Sequence, residues 1–323
     1  MAADIRLPLT ATPTYLPPLC QLAGREAVIQ NGVMPEGDVV WRTADRLNQA
    51  LSGRALTVCD LRWPSLATVD LTGRTVTEVI ARGKHLLLRT DGDPPLTLHS
   101  HLRMEGSWHL HRTGEPWGSA RSQDHVRAVL ANAEWTAVGH KLGMLDLVRT
   151  DGEATLVGHL GPDVLGPDWD QAAVIATLRA DPGREIGDAL LDQRVLAGVG
   201  TMFLAETLFL RGVSPWTPVH EVGDLAGVVA LAHRLLEANR HRAVQATTGD
   251  LRPGRERWVH SRSGRPCRRC GTSVRVAMIG APPQQRTAFY CPSCQPGPAP
   301  TDDGRRQRPL GSSPRNQRAA YRR

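Results

Sequence analysis

The chain has 323 residues, enough for two or three domains, and its 31 glycines, 24 prolines and 4% aromatic content fit a mixed, loop-containing protein. No apolar run approaches the roughly 20 residues of a membrane-spanning helix, which excludes an integral protein of that kind. The net charge of +7 is concentrated late: residues 252–294 hold nine arginines against Glu256, the segment from 295 onward is also basic, and residues 34–251 are net acidic.

Residues 1–33 have prolines at 8, 13, 17 and 18, which interrupt any secretory-type apolar segment, so a cytosolic protein is expected. The first predicted element is a helix over residues 39–51, with Val40, Ala44, Leu47 and Leu51 on one face. Eight short apolar runs follow up to about residue 150: LTVCDLRW, TVTEVIARG, HLLLRT, LTLHSHLRM, SWHLH, VRAVLA, WTAVG and LDLVRT. Turn signals separate them, the pattern of an all-β layer. After HLGPDVLGPDWD the period becomes helical, with an Asp start signal before QAAVIATLRA. Further helical patterns run through IGDALLDQRVLAGVG, TMFLAETLFLRG and DLAGVVALAHRLLEANRHRAVQ and stop near Arg252. The last residues, from 296, are rich in Pro, Gly and Arg, bury too little to offset their ordering entropy, and read as a disordered basic tail.

Cys267 and Cys270 form one C-x-x-C pair, and Cys291 and Cys294 a second about 20 residues on. Each pair can wrap two thiolates around one side of a tetrahedral zinc ion. Redox pairs or two disulfides are the competing readings, and a cytosolic setting disfavours structural disulfides. The intervening GTSVRVAMIGAPPQQRTAFY predicts two strands around a Pro-Pro turn, presenting Arg275 and Arg286 in a shape suited to phosphates. Zinc ribbons also serve as structural or protein-binding modules. Cys20 and Cys59 have no partner in the sequence and read as ordinary thiols, and Lys141 reads as structural.

Four stretches, MPEGD at 34, RGKHLL at 82–87, LLDQRVLAGVG at 190–200 and the segment from CRRC to RTAFYCPSCQ, resemble the formamidopyrimidine-DNA glycosylase and endonuclease VIII family of base-excision enzymes, in that family's order. Pro-Glu-Gly is similar to the endonuclease VIII branch. The resemblance implies an α+β multidomain fold. Residues 34–155 would form an N-terminal β-sandwich with a flanking helix, 165–252 a helical domain with a helix-two-turn-helix, and 256–295 a four-cysteine zinc finger. It implies a DNA repair glycosylase and abasic-site lyase that removes oxidised bases, pyrimidines in this branch, by β- and δ-elimination. One structural Zn2+, a DNA partner, a monomeric state and a cytoplasmic, nucleoid-associated location complete the expectation. The alternative is a catalytically impaired protein of the same fold that binds abasic or single-stranded DNA.

In that family the nucleophile is the secondary amine of an N-terminal proline, here Pro35. An amide nitrogen cannot serve, because its lone pair is delocalised into the carbonyl, whereas a free α-amine with a pKa near 8 is partly neutral at physiological pH. Residues 1–33 are therefore expected to be a start-site error of the gene model or a cleaved leader, with the working chain beginning at Pro35. The resemblance assigns proton handling on the sugar to Glu36, general acid work and a part in β-elimination to Lys84, and phosphate contact with assistance to δ-elimination to Arg286. It places Met104 as the wedge filling the gap of a flipped base and Arg103 opposite the orphaned base. Gly198 and Gly200 would allow the tight turns before a helix whose free N–H groups meet a DNA phosphate. Thr201 stands where the family has Asn, with a shorter reach but a hydroxyl able to cap the helix.

Overall fold

The computed structural model describes residues 35–118 and 123–300. Residues 1–33, Met34 and the tail from 301, on which part of the sequence reading falls, lie outside the described residues.

Helix α1 spans Gly37–Leu51 and is followed by β1 (Val58–Leu61), β2 (Val76–Arg82), β3 (His85–Thr90), β4 (Leu96–His101), β5 (Ser107–Arg112), β6 (Val126–Ala131), β7 (Trp135–His140) and β8 (Met144–Arg149). The eight apolar runs are thus eight strands. They form two antiparallel four-stranded sheets, ordered β1-β6-β7-β5 and β2-β3-β4-β8. Val40, Ala44, Leu47 and Leu51 of α1 are all buried, in one core with Leu86, Leu88 and Leu98 of one sheet and Ala128, Leu130 and Ala137 of the other. The spacing that predicted a shared helical face therefore places that face against the sandwich interior.

A short helix α2 (Ala154–Val157) leads to a helical region of α3 (Gln171–Ala180), α4 (Ile186–Leu191), α5 (Thr201–Arg211) and α6 (Leu225–Asn239). Asp170 caps α3, its carboxylate accepting from the Ala172 and Ala173 amides, as the Asp start signal predicts. Val174, Leu190, Phe203, Leu204, Val228 and Leu236 form the second core. Gly212, in the left-handed region at φ 69°, ends α5.

Strands β9 (Arg275–Ile279) and β10 (Arg286–Tyr290) form a hairpin whose connection contains the Pro282-Pro283 pair. Its apolar residues Val274, Val276 and Phe289 pack with Ala205 and Phe209 of α5, so the hairpin and the helical region share a core. Buried Glu206, also on α5, accepts from the amides of Trp258 (2.8 Å), Val259 (2.9 Å) and His260 (2.8 Å) and from the Thr247 hydroxyl. One carboxylate thereby fastens the chain leading into the hairpin.

Candidate active site

Pro35 is half-buried and Glu36 is 1% exposed. Glu36 opens α1 as its N-cap residue but makes no side-chain cap there. Its carboxylate instead crosses to the start of α5, accepting from the amides of Gly200 (2.8 Å), Met202 (2.7 Å) and Phe203 (3.3 Å). This satisfies donors that a helix leaves unpaired and sets a negative charge at the positive end of its dipole. The expectation that these N–H groups stand free for a phosphate is corrected: an internal carboxylate takes three of them. Thr201 is likewise not the cap. It is the first helical residue, only 8% exposed, and the N-cap position is Gly200.

Gly198 and Gly200 serve different ends. Gly198 has φ 103°, a conformation L side chains rarely adopt. Gly200 is in extended backbone, but a Cβ there would lie 2.5 Å from the Glu36 Cδ. The Gly37 amide donates to the Gly198 carbonyl at 2.9 Å, and a Cβ on Gly37 would meet the Gly198 Cα at 3.0 Å. The start of α1 and the turn before α5 therefore meet backbone to backbone.

Lys84 sits in the tight turn between β2 and β3, where Gly83 has φ 57°. Its Nζ donates to the Val199 carbonyl at 2.7 Å. The hairpin is pinned by buried Asp163, which accepts from the Gly83 amide at 2.7 Å and the Leu165 amide at 3.0 Å. Gln193 fixes the opposing turn, accepting from the Gly198 amide at 3.0 Å and donating to the Val199 carbonyl at 2.9 Å. Burial pushes the Lys84 ammonium below its usual range, Glu36 opposes that shift, and Arg286 adds to it by repulsion. Burial likewise raises the Glu36 carboxyl, against Lys84 and the three amides. Glu36, Lys84, Gly200 and Thr201 are thus gathered at one place, with Arg286 within electrostatic reach of Lys84. Arg286 is exposed at the start of β10, held by the Gln284 and Gln285 carbonyls at 2.9 and 3.2 Å.

Arg103 and Met104 lie on the loop between β4 and β5. Met104 is 65% exposed, one of few large apolar side chains so presented among the described residues. Arg103 takes a positive φ of 50°, and its amide donates to His101 Nδ1 at 2.9 Å. Burial and then Lys84 hold the His101 pKa at about 4, which keeps that ring neutral and able to accept. The loop borders an open depression of about 530 Å³, also lined by Glu105, His125 and Lys141. Lys141 pairs with Glu105 at 2.7 Å, both side chains being exposed.

Cys267, Cys270, Cys291 and Cys294 bring their sulfurs within 4.8 Å of one another, with Cys267 to Cys294 at 3.9 Å and Cys270 to Cys291 at 3.4 Å. Four sulfurs tetrahedral about zinc at ≈ 2.3 Å stand about 3.8 Å apart, so this donor set can hold a metal ion of that size.

Residues 34–141 match the family model of the formamidopyrimidine-DNA glycosylase N-terminal domain. A probable endonuclease 8 of Streptomyces coelicolor is 54% identical over 274 residues, covering 84% of this chain and 98% of the relative. The chain belongs to the formamidopyrimidine-DNA glycosylase and endonuclease VIII family. On the endonuclease VIII side, a DNA-(apurinic or apyrimidinic site) lyase of Mycolicibacterium smegmatis is 44% identical over 263 residues, covering 81% of this chain and 99% of the relative. The fold is also that of a Lactococcus lactis formamidopyrimidine-DNA glycosylase crystallised with abasic-site DNA. The two share 23% identity and a TM-score of 0.67 over 81% of this chain and 100% of that one.

Sequence reasoning missed Asp38, Asp163, Gln193, Glu206 and Gln245, which hold the parts of the site together. Asp163 lies in the GPD of the segment where the strand pattern gives way to helices. Its only local signal was a carboxylate in an otherwise apolar turn.

Proposed function

We propose that the amine of Pro35 is the nucleophile of this endonuclease VIII-like DNA glycosylase and abasic-site lyase, and that the chain works once residues 1–34 are removed. The carrying observation is the placement of Glu36: its carboxylate fixes the residue beside Pro35 against the turn that precedes α5, 2.7 to 3.3 Å from three amides. The amine attacks C1′ of the damaged nucleoside, the bond to the base breaks, and the sugar ring opens to a Schiff base. Loss of the C2′ proton then expels the 3′ phosphate, and a second elimination expels the 5′ phosphate.

Glu36 handles the sugar proton. Its raised affinity for a proton, from burial, fits that task better than an exposed carboxylate would. Lys84, with its ammonium destabilised, gives up a proton more readily than an ordinary lysine and acts as general acid. Arg286 holds a flanking phosphate from the tip of the hairpin, where its guanidinium is exposed. Thr201 meets the phosphate near the lesion through its hydroxyl, and Gly200 shapes the turn that carries it while its amide stays on Glu36. Met104 enters the stack in place of the extruded base, and its exposure supports that part. Arg103 faces the orphaned partner. The metal held by the four cysteines is one structural zinc, and oxidised pyrimidines are the substrates.

Borohydride trapping on a duplex with one abasic site tests the reading. A protein beginning at Pro35 should give a covalent adduct, and one that retains Met34 should bind the duplex and give none. An equal yield of adduct from both would refute the proline assignment.

A further inference from the structure

Asp38 has no accessible surface, and Gln245, which follows α6, is 1% exposed. The Gln245 amide nitrogen donates to both oxygens of the Asp38 carboxyl, at 2.9 and 3.1 Å, across 207 positions of sequence. A carboxyl in this setting costs desolvation unless it is paired, and a close-packed apolar pair would hold two elements together as well or better. What the polar pair supplies is direction: a nitrogen between two oxygens fixes the rotation of the helix that carries them.

That helix is α1, and its first turn begins two residues after Pro35. Three ties hold the turn. The Gly37 amide meets the Gly198 carbonyl, and the Glu36 carboxylate meets the start of α5. Both come from the same short turn, and the core packing of α1 adds an apolar contact that gives its first turn no polar direction. Gln245 supplies the third tie from a different direction. Its own segment is fixed: Ala246 exchanges hydrogen bonds with the Asn239 side chain at 2.8 and 3.0 Å, and the Thr247 hydroxyl donates to Glu206. Arg42, one turn along α1 from Asp38, donates to the Arg242 carbonyl of the same segment.

We infer that Asp38 and Gln245 are a positioning pair that orients the Pro35 amine for attack on C1′ without touching DNA. The inference rests on the reading of Pro35 as nucleophile. The Asp38 carboxyl is raised to about 7, first by burial and then by Glu36, against the Gln245 amide and Arg42; Lys84 also faces it. One member of the pair, the Asp38 carboxyl, therefore changes charge in the physiological range.

The test uses proteins beginning at Pro35 and two probes: a duplex with an aldehydic abasic site for borohydride trapping, and one with a tetrahydrofuran abasic analogue, which cannot form a Schiff base, for binding. Gln245→Glu sets two carboxyls against each other. At about pH 8 its trapping rate should fall on the order of 100-fold, the cost of a small misplacement of a reacting group, with affinity for the tetrahydrofuran duplex unchanged. At about pH 5.5 the two carboxyls can share a proton and much of the rate should return. In Asp38→Asn with Gln245→Glu the amide and the carboxylate have exchanged sides, and the rate at alkaline pH should recover. A native rate in Gln245→Glu, a double variant no faster than that single one, or a parallel loss of binding and trapping would overturn the inference. A native protein that binds and gives no adduct would overturn the proline reading as well, so the two failures are distinct.

Discussion

A methyl group on residue 200 would stand 2.5 Å from the Glu36 Cδ, so Gly200→Ala tests the role proposed for Glu36 without replacing its side chain. The carboxylate would have to leave the α5 amides, and trapping should slow by at least about tenfold, with a loss of roughly 1 kcal/mol for the missing cap. Single-turnover trapping and urea unfolding would read the two effects. Asp38 makes a separate prediction about stability. Its carboxyl is raised from the ordinary 3.8 to about 7 in the folded protein, burial being the main cause. The folded state thus holds a proton that the unfolded chain releases between those values. Stability therefore falls as pH rises through that window. Asp38→Asn removes the titration, so its Tm relative to the native protein should climb from about pH 4.5 to about pH 8. A constant difference in Tm would show that Asp38 does not titrate there.

At the scale of elements, α5 has two carboxylate attachments of opposite purpose. Glu36 meets its first turn from the side of Pro35, and Glu206, from within it, holds the segment leading to the hairpin. Glu206→Gln would replace an acceptor by a donor against three backbone N–H groups and should cost about 1–3 kcal/mol for each group left unpaired. Amide exchange at Trp258, Val259 and His260 should rise ahead of exchange in the sandwich. The four-cysteine hairpin shares the core of α5 through Phe209 and Phe289. Cys291→Ser should release one metal ion per chain, measured by elemental analysis, and loosen β9 and β10 while α1 and the two sheets stay intact.

For the whole molecule, the basic residues cluster in the segment that builds the hairpin, which predicts a steep dependence of DNA affinity on salt. Arg286→Ala should reduce the slope of log K against log salt by about 1, one phosphate contact. An unchanged slope would place Arg286 away from the backbone. The strands were legible in the sequence because each is a short apolar run set off by turn signals, and β3, β4, β6 and β7 bury consecutive residues rather than alternate ones. The α1 face, the Asp170 cap and the cysteine pairs also reduce to spacing. The ties that assemble the site were not legible. Glu36 and its amides are 164 to 167 residues apart, and Asp38 and Gln245 are 207 apart. A single polar residue whose partner is that remote leaves no periodic trace, and Glu36, read beside Pro35, gave no hint that it also closes a helix. Thr201 was read as a possible cap because the true cap comes from another part of the chain. The double attachment of α5 has a consequence for assembly. Among the described residues, the Met202 and Phe203 amides at its start are satisfied by residue 36 and its buried Glu206 by residues 247 and 258–260, so the helix is complete only when segments from both sides of it in sequence have arrived. An excised helical region would carry a stranded carboxylate and open amides, so a fragment cut at its boundaries in sequence would lack the partners that complete α5.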